Sequence, residues 1–145
     1  MTITVSRIEI AKTAQTISIG SHHLTADMGV ADGGLDAGPD PHDLYDSALG
    51  ACKALTVIWY ANRKQIPLEH VKVAVERDDS QERKGTYVLT ATLSLGGPLS
   101  HAQHAELLAV ADKCPVHKLM TEVTTIVHTR LAAKAAGRNQ GECYD

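Results

Sequence analysis

The chain has 145 residues and a formal net charge of -3, with 43% hydrophobic and 21% charged residues. That length accommodates one domain with a real core, and the composition is globular rather than disordered. There is no basic excess to grip a phosphate backbone and no phenylalanine to help stack bases, so nucleic acid is not an expected partner.

The N-terminus, MTITVSRIEIAKTAQ, lacks a basic segment leading into an apolar run, and no stretch reaches the roughly 20 apolar residues of a membrane span. A cytoplasmic protein is expected. Three cysteines in a reducing compartment point to redox or metal chemistry sooner than to structural bridging.

In chain order, residues Thr2–Ala11 alternate through Ile3, Val5, Ile8 and Ile10, and Thr16–Gly20 continues with Ile17 and Ile19. The pattern predicts a hairpin turning near Lys12–Ala14, then a short strand around His23–Asp27. Residues Met28–Pro41 are dense in Gly, Pro and Asp and predict a loop. Asp40 is a candidate N-cap, Pro41 a preset first helical residue, and Asp43 sits near the positive end of the dipole. A helix to about Arg63 is expected, with Leu44, Ala48, Ala51, Cys52, Leu55 and Trp59 on one apolar stripe and Asp46, Lys53 and Arg63 off it. Cys52 then faces the core or a partner surface.

Two alternating runs follow, Val71–Val75 and Tyr87–Leu95, joined by a charged turn and expected to pair antiparallel. Ser100 should cap a helix over His101–Asp112, Cys114-Pro115 should begin a second short helix, and Val123–His128 reads as a closing strand. The expected organisation is a single domain over residues 1–131 followed by a tail, 132–145. Segregated strands and helices indicate an α+β fold rather than a doubly wound parallel sheet.

The chemistry lies with the cysteines. Cys114 at an N-cap would have backbone N–H groups directed at its sulfur, with His117 and Lys118 in the same turn. A buried capping thiol would serve the same local pattern, and Cys52 on an apolar stripe is equally compatible with simple packing. Cys52, Cys114, His42 and His117 are all ligand types, but they lack the closely spaced pairs of a zinc site, so no metal is expected. Cys143 lies in a polar tail with no pattern around it.

The segment GGLDAGPDPHDLYDSALGACKALTVIWYANRKQIPLEHVKV, a Gly/Pro loop leading into a helix that bears a cysteine after small residues, resembles one motif of the OsmC/Ohr family. The segment LSHAQHAELLAVADKCPVHKLM resembles that family's second motif, and the likeness spans roughly residues 14 to 131. The family comprises osmotically inducible protein C and the organic hydroperoxide resistance proteins.

The resemblance implies antiparallel sheets wrapped around two central helices in an intertwined homodimer. It implies a thiol peroxidase acting on organic hydroperoxides in oxidative stress defence, in which Cys52 becomes a sulfenic acid and Cys114 resolves it as an intramolecular disulfide. It implies a dithiol reductant such as a lipoylated protein, and no cofactor. Peroxidase members carry a Glu ten residues before the attacking cysteine, where this chain has His42 followed by Asp43. They also use an Arg from the N-terminal part of the chain, for which Arg7 or Lys12 would stand in. The alternative that follows from those departures is an OsmC-like protein whose thiols bind a ligand or sense redox state without efficient turnover.

Overall fold

The computed structural model describes residues 1–133. Its elements are β1 (Ile3–Arg7), β2 (Gln15–Ile19), β3 (His22–Ala26), α1 (Pro41–Lys64), β4 (His70–Asp78), β5 (Val88–Gly96), α2 (His101–Ala111) and α3 (Pro115–Thr121). Strands β1, β2 and β3 form one antiparallel sheet in that order, and β4 and β5 form a second, with Val73 opposite Leu93 and Val75 opposite Ala91. The fold is α+β, as the sequence led us to expect.

Helix α1 runs 24 residues because both ends are fastened. At its start the Asp40 carboxylate accepts from the Asp43 N–H while Asp43 accepts from the Asp40 N–H, a reciprocal cap with Pro41 preset behind it. At its end Gln65 adopts the left-handed conformation, φ 56°. Helix α2 repeats the device with Ser100 and Gln103.

The core forms where α1 crosses α2. Val57, Ala61, Leu107 and Ala111 are buried there, and Val71, Leu93 and Leu95 pack in from the β4–β5 sheet. Gly50 lets that sheet approach α1: a Cβ at this position would lie 3.1 Å from Val75 Cγ2.

Three expectations need correction. The first strand ends at Arg7, not Ala11, because Ile8–Thr13 make the turn: the Ile8 N–H donates to the Ala14 carbonyl, and Ile10 is fully exposed. The expected core stripe of α1 is not the buried one. Leu55 and Trp59 are more than half exposed, whereas Asp46, Leu49, Gly50, Lys53, Val57 and Ala61 face inward. Both faces carry helical spacing, and the sheet settled on the face with Gly50 and small side chains, where backbones can approach. Finally, Val123–His128 is not a strand, since no edge among the described residues lies against it to supply a ladder. Ile126 and Val127 are open to solvent.

Candidate functional site

Cys52 and Cys114 come from elements 62 residues apart and meet at the start of α3. Cys114 is the N-cap, with extended backbone and a sulfur that accepts from the His117 N–H at 3.4 Å. The preceding amide, Val116 N–H, donates to Cys52 Sγ at 3.5 Å. Consecutive amides of one turn thus hold the two sulfurs as neighbours. Both cysteines are free thiols.

Their surroundings differ. Cys114 is fully buried. Burial pushes its thiol up from the ordinary value; the nearby Cys52 sulfur acts in the same direction, while the His117 N–H and the Lys53 ammonium pull downward without prevailing. Cys52 is half-buried in an open groove of about 660 Å³ whose walls are Ala48, Ala51, Leu55, Trp59 and Pro115, with Lys113 at its rim. The exposed apolar stripe of α1 is therefore the wall of the groove in which Cys52 sits. Leu119, which the apolar pattern would add to such a pocket, is about half exposed and does not line it.

Behind the sulfurs lies a residue that sequence reasoning missed. Lys53, the next residue along α1 and turned about 100° from Cys52, is only 4% exposed and donates from Nζ to the Ala111 carbonyl at 3.0 Å. Nζ also lies 3.0 Å from His117 Nδ1 and 3.6 Å from the Asp112 carboxylate. An ammonium donor leaves His117 Nδ1 to accept, which places that ring's proton on Nε2. Lys53 thereby ties α1 to both ends of the α2–α3 corner that carries Cys114. The available signal was the spacing of Asp46, Leu49, Gly50, Lys53, Val57 and Ala61, a second helical stripe with a lysine in it.

The other candidates lie elsewhere in the single chain. His42 and Asp43 occupy the first turn of α1, about 14 Å along the axis from Cys52. His42 bonds Glu82 at 2.7 Å, which raises its pKa. Asp43 is held below the usual carboxylate range by the Asp40 N–H and by Arg77. Arg77 also donates to buried Asp46, which accepts from the Tyr87 hydroxyl as well. Burial and that bond push Tyr87 up to about 12. This network fixes the start of α1 to β4 and to the segment just before β5.

Arg7 and Lys12 line a separate cavity with Thr13, Asp27, Met28 and Pro41; the Arg7 Nε donates to the Ala11 carbonyl. Cys143 lies outside the described residues. Among the described residues no three His, Cys, Asp or Glu side chains gather as they would around a metal ion, and no helix is long and apolar enough to cross a membrane.

A family model described as OsmC-like protein matches residues 32–129. Among solved structures, an OsmC-like protein from Mycoplasma pneumoniae is similar with a TM-score of 0.68 and 21% identity over 84% of this chain and 87% of that one. An organic hydroperoxide resistance protein OsmC from Legionella pneumophila gives 0.58 and 21% over 84% and 90%. The organic hydroperoxide resistance protein OhrB of Bacillus subtilis gives 0.56 and 20% over 84% and 92%. At these identities the structures show a common fold. No curated protein matches the sequence significantly. The family match covers both cysteines and all the elements that bring them together, and the chain belongs to the OsmC-like protein family.

Proposed function

We propose that this protein is a thiol-dependent peroxidase for organic hydroperoxides in oxidative stress defence. The observation that carries the reading is the pair of consecutive amides, Val116 and His117, that hold Cys52 and Cys114 side by side. The Cys52 thiolate attacks the distal oxygen of the hydroperoxide; the O–O bond breaks, the alkoxide takes a proton and leaves as the alcohol, and Cys52 becomes a sulfenic acid. Cys114 then loses its proton and attacks the Cys52 sulfur. The S–O bond breaks, water departs and a disulfide remains. A dithiol, such as a lipoylated protein, returns both thiols by becoming a cyclic disulfide. No cofactor enters the cycle.

Several features support it. The apolar groove at Cys52 suits an organic tail, and Lys113 at its rim supplies positive charge where a thiolate must form. The exposed Leu55, Trp59, Ile126 and Val127 suit a homodimer in which a second copy covers them and supplies an edge for Val123–His128. Arg7, Lys12, His42 and Asp43 belong to this reading as auxiliary groups acting across that boundary, and a dithiol reductant fits a cytoplasmic setting.

One observation favours the binding or sensing alternative: a buried Cys114 with a raised pKa is mostly protonated near neutrality, which slows resolution. Mass spectrometry after one equivalent of cumene hydroperoxide decides the chemistry. The peroxidase reading expects a loss of two protons that links Cys52 to Cys114, donor-dependent turnover, and no hydroperoxide consumption by Cys52→Ser. Undiminished turnover in Cys52→Ser would sink it.

A further inference from the structure

A second cavity, of about 590 Å³, opens beside α1 and is lined by residues of α1, β5, α2 and α3. We propose that it is a ligand site for a medium-chain aliphatic carboxylate, with the carboxylate on the Lys53 ammonium and the chain running toward Tyr45 and Tyr87. Neither cysteine lines it; His117, whose N–H holds the Cys114 sulfur, does, yet ligand binding here requires no thiol chemistry and does not depend on the peroxidase reading.

The polar end is defined by an ammonium short of partners. Lys53 has three N–H donors; one goes to Ala111 and one to His117. Among the described residues the nearest carboxylate to the third is Asp112, 3.6 Å away and itself 75% exposed. That counter-charge sits largely in water at the edge of ion-pair range, so a ligand anion can join it beside the ammonium from the cavity side. His117, accepting from Lys53 through Nδ1, holds the ammonium in place, while its Nε2–H points away from Lys53 and is left for a separate partner.

The remaining walls select the rest of the ligand. Leu89, Leu93, Leu108 and Met120 make them aliphatic. Tyr45 lies eight residues before Lys53 on α1, about 12 Å along the axis, which matches a medium-length acyl chain. A phosphate is a poorer fit, because no arginine lines the cavity and Asp112 at the same end would repel a dianion.

Isothermal titration of the reduced full chain with decanoate and with decanol, which has the same tail and no charge, tests the assignment. Decanoate should bind saturably at one per chain and decanol at least ~10-fold more weakly, the scale of a partly buried charge pair. Cys52→Ser should bind decanoate as the wild type does, which separates this test from the peroxidase one. Lys53→Met should erase the preference for decanoate over decanol. Should that variant not fold, Ala91→Phe, which fills the cavity from the β5 wall, should abolish binding of both probes. Decanol binding as tightly as decanoate to the wild type, no saturable binding, or decanoate binding undisturbed by Ala91→Phe would each overturn the proposal.

Discussion

Joining Cys52 to Cys114 should stabilise the protein, because the fold already holds the two sulfurs together while the unfolded chain does not. The link closes a loop of about 62 residues, and the chain-entropy treatment of such a cross-link gives an upper figure of ~4 kcal/mol. The structural input is that native strain stays small, since the Val116 and His117 amides fix both sulfurs within one turn of α3. With a urea slope of ~2 kcal/mol/M for a domain of this size, the midpoint should rise by ~2 M at most. The assay is equilibrium urea unfolding at fixed protein concentration, comparing the oxidised and reduced forms in a Cys143→Ser background so that only this pair can link. Cys52→Ser treated identically should show no shift. A lower midpoint on oxidation would refute the reasoning, because it would mean the corner must be distorted to bring the sulfurs into bonding range.

In Cys114→Ser, hydroperoxide consumption should stop after one equivalent, and a sulfenic acid should be trapped on Cys52 by dimedone; continued turnover would deny Cys114 its role. The wild-type disulfide should form faster as pH rises from 7 to 9, since burial holds the Cys114 thiol protonated; stopped-flow tryptophan fluorescence from Trp59, which shares the groove with Cys52, would follow it. Leu107→Ala, emptying a fully buried site between α1 and α2, should cost ~2–5 kcal/mol in urea unfolding. Asp27 is held down to about pKa 2 by the Thr13 hydroxyl and then by the N–H groups of Ala37, Met28 and Leu35. A depressed carboxylate stabilises fully above its unfolded pKa near 4, so this contribution should vanish between pH 4 and pH 2. Asp27→Asn should show a flatter acid limb in thermal melts over that window.

The boundaries of α1 were legible because they are written locally: Asp40, Pro41 and Asp43 satisfy the first turn among themselves, whatever the helix packs against. The same holds for Ser100 with Gln103, for Cys114-Pro115 at the start of α3, and for the alternating β4–β5 hairpin. The two cysteine motifs were enough to recognise the family. The buried face of α1 was not legible, because its sequence carries two helical stripes, and hydrophobicity favoured Leu55 and Trp59 over the Gly50, Lys53 and Asp46 face. A lysine reads as solvated until the carbonyl and imidazole that receive it are in place.

The sequence by itself therefore determined the elements, their caps and the family, since hydrogen bonding within a turn and side-chain periodicity act over only a few residues. Tertiary structure alone decided three things: that Cys52 and Cys114 share adjacent amides of α3, that Lys53 is buried behind them against Ala111 and His117, and that Val123–His128 lacks a partner strand within the described chain. Each depends on which surfaces meet across tens of residues, and that follows from where backbones can approach and which polar groups find partners, not from any local pattern.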